Sequence, residues 1–510
     1  MPSHPPCRRL TPSPRLQAVS RNHHAGMPGT TRITGRILCC IKNACLIESL
    51  QVVATQRVET GYRVGNRTEE RQTGTKRYPT TTGAWETGGW PQANVSSPVP
   101  THHLRGAMLP LLQTPPPTGH APAGYRGHPA LALAFRPFYL LAAAFAVVAI
   151  GVWAAIYLGW WPQAGTQPAM GGMLWHAHEM VFGFAAAVVV GFLFTAGKNW
   201  TGLQTPQGAP LAGLAAVWLA ARVLMWTGPV LAATVLDLAF LLLCAASFLR
   251  VLVRAGSKRN YGLAAALFLL WALNALFHAA LANGAAPLAL QSADAGIGLI
   301  VVFITVIGGR VIPMFTANAV AGVRIRRSKP IESSVVVLTL AAMTASIVAP
   351  LGVATATLAL LAALAHAFRL AGWGSRHALR KPLVAILHLA YGCLPLGLLL
   401  LAAAALGQGD RSTALHALTV GAIGCAIMGM ITRTALGHTG RKLEAGTMEK
   451  AAYLCIALAT LFRVLGPLAM PQDKPFWIAG AAVLWMAAFL LYLAKYTPYL
   501  ARPRADAREG

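Results

Sequence analysis

The chain has 510 residues, a formal net charge of +27 and a mean hydropathy of +0.54, with 55% hydrophobic and only 11% charged residues. So few charges in so long a chain exclude an ordinary water-soluble enzyme. The excess of Lys and Arg would suit a nucleic-acid-binding protein, but these residues occur in short clusters between long apolar stretches. We therefore interpret the charge as a sign of membrane topology and lipid contact, with no nucleic-acid partner.

Residues 1–107 form a basic segment without sustained apolar periodicity. The segment contains 14 Lys or Arg and 5 Asp or Glu. Such a composition buries too little apolar surface to offset the loss of chain entropy on folding. We expect it to be disordered, or else to be an extension upstream of a true start at Met108.

The rest of the chain is organised by its hydrophobic stretches. A bilayer-spanning helix needs about 20 apolar residues, because the hydrocarbon layer is about 30 Å thick. We expect a short cytoplasmic lead-in at 108–132, an all-α membrane domain of about 12 transmembrane helices at 133–497, and a cytoplasmic tail at 498–510. The predicted spans are 137–159, 175–197, 208–226, 229–250, 261–282, 294–320, 334–349, 352–371, 382–406, 413–436, 449–470 and 475–496.

The loops between these spans differ sharply in charge. The connections after the even-numbered spans, with the C-terminal tail, contain 21 Lys or Arg, and Arg126 and Arg136 precede the first span. The opposite connections contain only Arg411 and Lys474. Because loops rich in Lys and Arg stay on the cytoplasmic side, both termini are predicted to be cytoplasmic.

Ionisable groups inside the spans indicate where function resides, since each costs about 2.5 to 3.5 kcal/mol at mid-membrane on insertion scales. The most informative stretch, at 175–184 in span two, reads WHAHEMVFGF. At 100° per residue, His176 and Glu179 are predicted on one helical face and His178 on another. Ligands to a shared centre are then expected to come from other spans as well.

Two further histidines are predicted at a similar depth. His278 lies late in span five and His416 early in span ten. Together with His176, His178 and the carboxylate of Glu179, they form the kind of set that a metal or haem site in a helix bundle requires, since imidazole suits iron and copper. The alternative is that they are interfacial polar side chains at helix ends.

A second polar group is predicted toward the cytoplasmic half. Pro313 in span six frees backbone carbonyls that a buried Arg310 guanidinium could satisfy, or Arg310 could pair with an anion. Span nine places His388 and Tyr391 one turn apart on the same face. Arg433 in span ten is a candidate partner for a carboxylate such as a haem propionate, or else a topological anchor.

Other intramembrane charges are read as structural. Asp237 on span four is expected to form an ion pair with Arg222 of span three or Arg463 of span eleven. Asp294 is expected to favour the N-terminus of span six, and His366 to be solvated or at a helix end near an inner loop. No covalent haem-attachment, phosphate-loop or dinucleotide-binding motif occurs, so any haem is expected to be held non-covalently.

Several separated stretches of the sequence resemble the NnrS family, over about residues 130–497. They are FRPF at 135–138, the stretch at 175–184, KNWTG at 198–202, the segment at 309–315, and MGMITR at 428–433 with LGHTGR at 436–441. The candidate residues within these stretches are His176, His178, Glu179, Arg310, Arg433 and His438. The assignments of His278, His388, His416 and Tyr391 rest mainly on depth and residue type.

The resemblance implies a multi-pass protein of the bacterial inner membrane that carries haem and copper and acts in nitric oxide metabolism or protection from nitrosative stress, as an accessory to denitrification. Nitric oxide is the implied ligand. It is small and neutral, so it enters lipid without a carrier, and imidazole-bound iron or copper with an open position would bind it. Whether the protein turns it over as an enzyme, and which redox partner it uses, are left open.

Two other functions fit the same layout. A secondary transporter of a small solute or metal also has twelve spans, and Arg310 with Asp237 could form its substrate or proton site. A carrier often shows internal symmetry, and no convincing repeat relates the two halves of the sequence. An assembly factor that delivers copper or haem to another metalloenzyme is the third hypothesis.

Overall fold

The structure of the protein is a computed structural model that describes residues 125–161 and 170–506. The segment 1–107, the proposed start at Met108 and most of the lead-in lie outside the described residues. Within the described ranges the secondary structure is entirely helical. The predicted all-α fold is therefore confirmed.

In the part of the chain that the structure describes, twelve helices are long and apolar enough to cross a bilayer, which makes this a multi-pass membrane protein. They are α1 (Phe135–Tyr157), α2 (Gly172–Thr201), α3 (Ala209–Thr227), α4 (Val230–Arg254), α5 (Lys258–Ala282), α6 (Ala286–Ala319), α7 (Lys329–Val348), α8 (Val353–Ala371), α9 (Pro382–Ala405), α10 (Arg411–His438), α11 (Thr447–Ala469) and α12 (Pro471–Ala501). Each coincides with one predicted span, so the predicted helix count is confirmed.

The helices divide into an inner and an outer group. In the most apolar window of α2, 78% of the residues are buried, and in that of α10, 67%, whereas only 28% are buried in α7. At the centre, α6 contacts α2, α9 and α10, and α9 contacts α10; α1 packs against both α2 and α12. The outer helices expose large apolar side chains such as Leu231, Val337 and Val348, which lipid solvates.

Successive helices run in opposite directions, so the bundle has two ends. We call the end at which the even-numbered helices begin the histidine end, because it contains His176, His178 and His416. We call the other the basic end, since the Lys- and Arg-rich connections belong to it.

The prediction for Asp294 was wrong. Helix α6 begins at Ala286, with Pro287 in its first turn, which is eight residues before the predicted start. Asp294 therefore lies two turns inside the helix and accepts a hydrogen bond of 2.7 Å from Nη1 of Arg411 in α10. It links two inner helices instead of stabilising a helix N-terminus.

Two helices contain π-helical segments. In α2 this segment is Glu179–Ala185, and in α10 it is Ala417–Gly424. Each begins immediately after a histidine, His178 in α2 and His416 in α10. A π-turn holds more residues than an α-turn and so changes the direction in which the flanking side chains point, and such segments occur mostly at functional sites.

Candidate functional site

Two histidines of α2, two positions apart, precede its π-helical segment and point in different directions. His178 is fully buried and directed toward α4 and α5, whereas His176 contacts α1 and α10. Glu179 lies with His178, because its Oε1 is 3.1 Å from Nδ1 of that ring. The prediction that His176 and His178 point in different directions is confirmed. Glu179 stands at α-helical spacing from His176, as predicted, but its carboxylate lies beside His178.

The first of the two resulting groups surrounds His178 in the closed interior of the bundle. Its Nε2 lies 3.1 Å from Oδ2 of Asp237 and 2.9 Å from Oδ1 of Asn274. Nε2 of His278 approaches the same Asp237 oxygen at 3.0 Å, and Nδ1 of His278 lies 3.2 Å from the hydroxyl of Thr234. Two imidazoles from different helices therefore meet on one carboxylate oxygen.

Arg222 binds both carboxylates of this group. Its Nη1 donates to Oε2 of Glu179 at 2.6 Å, and its Nη2 donates to Oδ1 of Asp237. All three side chains are at most 2% exposed, so these ion pairs are shielded from water. The predicted pairing of Asp237 with one of two arginines is thus realised with Arg222. We call His178, His278, Asp237, Glu179, Arg222 and Asn274 the His178 cluster.

The His178 cluster carries an unbalanced charge. With both imidazoles neutral, the carboxylates of Glu179 and Asp237 outnumber the single guanidinium of Arg222 by one negative charge. Charge buried in a medium of low dielectric must be compensated. One added positive charge, either a proton on His178 or a metal cation, makes the cluster neutral.

The donor atoms of the cluster fit a metal ion. One nitrogen each from His178 and His278 and one oxygen from Asp237 lie within 4.8 Å of one another, and all three residues are buried. Metal bonds to imidazole nitrogen and carboxylate oxygen are about 2.0 to 2.2 Å long, so one ion can reach all three atoms after small side-chain movements. This set of two imidazoles and one carboxylate suits Zn, Cu, Fe or Ni.

The second group lines a cavity of about 320 Å³ between the inner helices and α1, α11 and α12. Its walls are largely apolar and include Trp153, Ile297 and Trp485. We call this space the His416 cavity. His176 and His416 both border it, whereas His178 and His278 do not.

The rings of His176 and His416 are parallel within 4°, and their centroids are 6.4 Å apart. The ring of Trp153 stacks on that of His176 with a centroid distance of 4.1 Å, which holds the histidine ring in place. Among the described residues, the ring nitrogens of His176 have no hydrogen-bond partner. They are therefore free to bind a group in the cavity.

The hydrogen bonds of His416 define which of its nitrogens carries a proton. Nδ1 lies 2.7 Å from the backbone oxygen of Ser412, which can only accept, so Nδ1 must donate. Nε2 then has a lone pair, and it accepts from Nη2 of Arg463 at 3.2 Å. A ring whose Nδ1–H is fixed by a backbone carbonyl is the usual arrangement of a histidine that binds a metal through Nε2.

A smaller apolar cavity adjoins the first one. It has a volume of about 90 Å³ and lies among α1, α2, α6, α9 and α10. Ala185, Ile300 and Ile423 line both cavities, so the two spaces are neighbours. We call it the side cavity. It lies next to the His416 cavity, on the side toward the basic end.

His388 and Tyr391 lie outside both histidine groups. The two nitrogens of His388 contact the hydroxyls of Thr316 at 2.8 Å and Ser375 at 2.9 Å. The hydroxyl of Tyr391 lies 2.8 Å from Nδ1 of His366 and accepts from Nη1 of Arg369 at 2.9 Å. His388 therefore has hydrogen-bond partners of its own and belongs to neither histidine group.

His366 is fully buried, so of the two predicted alternatives solvation was wrong; the residue lies near the C-terminal end of α8. It belongs to a network near the basic end in which Arg369 forms an ion pair with Glu332. An added Cβ at Gly309 would overlap the guanidinium of Arg369, which explains why α6 has a glycine there. Neither Arg369 nor Glu332 was singled out from the sequence as a member of such a network.

The expectation of a buried guanidinium at Arg310 was wrong, because this residue is exposed on α6. The carbonyl that Pro313 leaves free is that of Gly309, and Nη2 of Arg327 donates to it at 2.9 Å. The prediction that an arginine binds the freed carbonyl is confirmed, but the arginine is Arg327 and not Arg310. Arg310 is also remote in the fold from Asp237, which is bound by Arg222.

Arg433 and His438 also belong to the basic end. The guanidinium of Arg433 stacks over the ring of Phe315, 3.7 Å from its centroid. The ring of His438 lies 5.5 Å from that of Phe135, and its backbone oxygen accepts a hydrogen bond from Arg504. Neither residue contacts the His178 cluster or borders the His416 cavity.

Asn274 and Thr234 are the site residues that the sequence did not reveal. Asn274 donates to Oδ2 of Asp237 at 2.6 Å and is fully buried. An uncharged amide inside an apolar span was the available signal, because a buried polar group needs a partner.

Comparison with known protein families matches residues 129–504 to the family described as NnrS protein. This region includes all twelve helices, the His178 cluster and the His416 cavity. A search of curated proteins found no match. Since the matched region covers most of the chain, the protein belongs to the NnrS family, as its sequence motifs predicted.

Proposed function

We propose that the protein binds haem and copper in the bacterial inner membrane, with both termini in the cytoplasm, and that it binds or detoxifies nitric oxide as an accessory to denitrification. The observation that carries this proposal is the division of the histidines at one end of the bundle. One pair meets on a buried carboxylate, and the other pair borders an apolar cavity.

Copper is assigned to the His178 cluster. His178, His278 and Asp237 would hold it, since imidazole nitrogen is a good copper ligand. The single positive charge of Cu(I) equals the charge that the cluster lacks. The cluster is closely packed and borders neither cavity described above, so a bare ion is a better occupant than an organic cofactor.

Haem is assigned to the His416 cavity. A volume of about 320 Å³ and largely apolar walls are typical of a cofactor pocket. His416 would bind the iron through Nε2, whose lone pair now accepts from Arg463, and His176 borders the same space. Arg411 and Arg463 line the cavity as well and supply positive charge for the haem propionates.

When bound, haem iron and Cu(I) supply metal centres to which nitric oxide coordinates. The residues of the chain bind and orient these cofactors and exclude water from them. Trp153 and Trp485 shield the His416 cavity with apolar surface. The side cavity offers a neutral apolar gas a space next to it, close to the lipid that the gas crosses freely.

The cytoplasmic location of the termini is proposed from charge. The connections at the basic end, together with the C-terminal tail, hold 21 Lys or Arg, and retention of such loops places them in the cytoplasm. The His178 cluster and the His416 cavity then belong to the periplasmic half of the membrane.

The test is an absorption spectrum with metal analysis of the wild-type protein, purified from cells supplied with haem and copper. We expect a Soret band, bound copper, and a shift of the Soret band when nitric oxide is added without oxygen. Colourless protein that contains no copper would contradict the proposal. Uptake of a solute by vesicles that contain such colourless protein would favour a transporter.

A further inference from the structure

Arg463 in α11 is a buried cation without a carboxylate partner among the described residues. It is 6% exposed, and its Nη2 donates to the hydroxyl of Ser412 at 3.3 Å and to Nε2 of His416 at 3.2 Å. Its Nη1 is buried without a hydrogen-bond partner among the described residues. Asp410, two residues before Ser412 in the sequence, forms its ion pair with Lys474 at 3.4 Å and not with Arg463.

The other buried arginines of the described residues have stronger partners. Arg222 binds two carboxylates, and Arg369 binds Glu332. Arg136 donates to the backbone oxygens of Leu500 and Arg502 at 3.0 and 2.7 Å. Arg463 has only a hydroxyl and an imidazole, neither of which carries negative charge.

Arg463 is one of the residues that line the His416 cavity. Arg411 lines the same cavity, and its Nε is also buried without a partner, although its Nη1 is bound to Asp294. Taking an unpaired charge out of water costs free energy that an anion can restore. The side chains here are thus arranged for a negatively charged occupant of the cavity.

We propose that Arg463 and Ser412 form a binding site for an anion with two oxygens on one planar group, a carboxylate or nitrite, inside the His416 cavity. The planar guanidinium matches such a group because it can donate two parallel hydrogen bonds. Of the two terminal nitrogens of Arg463, Nη1 is the one without a partner in the described residues. The hydroxyl of Ser412 would add a third contact to the anion.

This anion has two possible sources. It is either a propionate of a haem in the cavity or a free oxyanion such as nitrite that binds beside His416. The first source rests on the proposed function, whereas the second does not require haem. The experiment therefore has one arm for each source.

The first arm measures nitrite binding to haem-free protein in detergent, followed by quenching of tryptophan fluorescence, since Trp153 and Trp485 line the cavity. We expect Arg463→Gln to weaken binding at least tenfold and Arg463→Lys to weaken it less, because Lys keeps the charge but loses the planar fork. Arg310→Gln, at an exposed position, is the control and should bind nitrite as the wild type does.

A stability measurement separates anion binding from a structural role. If Arg463 serves an anion, Arg463→Gln should leave the melting temperature of the empty protein unchanged or raise it, because an unpaired buried charge is removed and an amide donor is kept. A large fall in the melting temperature with unchanged nitrite affinity would overturn the proposal.

The second arm compares the affinities of haem and haem dimethyl ester for the wild type and Arg463→Gln. If a propionate is the anion, the ester binds at least tenfold more weakly to the wild type, and the difference disappears in the variant. If nitrite is the anion, the ester binds as haem does, and nitrite still binds to haem-loaded wild type only.

The proposal fails if Arg463→Gln alters neither nitrite affinity nor the ratio of haem to ester affinity. Failure of the proposed function has a different signature, since neither haem nor its ester would then bind to any variant. In that case the nitrite arm alone decides whether Arg463 holds an anion.

Discussion

His176 and His416 face each other across the cavity with parallel rings 6.4 Å apart, although they belong to different helices distant in the sequence. His416 directly precedes the π-helical segment of α10, and His176 lies three positions before that of α2. The histidine that directly precedes the segment in α2, His178, points away to a separate cluster. His176 and His178, from one short stretch of α2, thus belong to two different sites. The His178 cluster lacks one positive charge, whereas the His416 cavity is lined by the cations Arg411 and Arg463.

Arg222→Met is predicted to destabilise the protein by about 3 to 5 kcal/mol, because it leaves the carboxylates of Glu179 and Asp237 buried without their shared cation. Unfolding in detergent would measure the loss. Arg310→Met is the matched control at an exposed position and should have little effect. Equal stability of the two variants would refute the role of the ion pairs.

Gly183→Ala is predicted to disrupt the His178 cluster. An added Cβ would lie 2.6 Å from Nη1 of Arg222 and 2.7 Å from Oε2 of Glu179, so these groups must move. We expect a loss of about 1 to 3 kcal/mol in the free energy of unfolding and weaker metal binding.

The control for this change is Gly213→Ala on α3. An added Cβ there meets no atom within 4 Å. Replacing an exposed helical glycine by alanine should be neutral or stabilising by up to about 1 kcal/mol. If both glycine variants behaved alike, close packing at Gly183 would have no energetic importance.

The fold was accessible from the sequence because bilayer thickness sets helix length and loop charge alternates regularly. The division of the site was not accessible in this way. A helical wheel for α2 gives the direction in which each residue leaves the helix axis, and it separates His176 from His178 as the structure does. It does not give the partner that a long side chain reaches, and the carboxylate of Glu179 lies beside His178 and Arg222.

Tertiary contacts decided the remaining differences. Pro313 did free a carbonyl, as predicted, but Arg327 from the following connection reaches it and Arg310 does not. Likewise, the sequence offered two arginines for Asp237, and only the packing of α3 against α4 selects Arg222.

Asn274→Leu is predicted to weaken copper binding by about 10 to 100-fold, because Asn274 orients both His178 and Asp237 without being a proposed ligand. Titration with Cu(I) against a competing chelator would measure the affinity. Asn283→Leu, exposed near the end of α5, is the control. Copper affinity unchanged by Asn274→Leu would show that the amide has no part in the site.

The side cavity is predicted to take up xenon, since an apolar cavity of this kind binds neutral gas atoms. Ala390→Leu places additional atoms in the cavity and should reduce xenon binding detected by ¹²⁹Xe magnetic resonance. Ala367→Leu, at an exposed position of α8, should leave the signal unchanged. Equal xenon binding by both variants would contradict the assignment.

The central claim is that two histidine groups bind two different cofactors, and the most direct measurement is the content of haem and copper per protein in His278→Ala and His416→Ala. We predict that His278→Ala loses copper and keeps haem, and that His416→Ala loses haem and keeps copper. His388→Ala, at the basic end, should keep both. Loss of the same cofactor from both site variants, or of neither, would contradict the account.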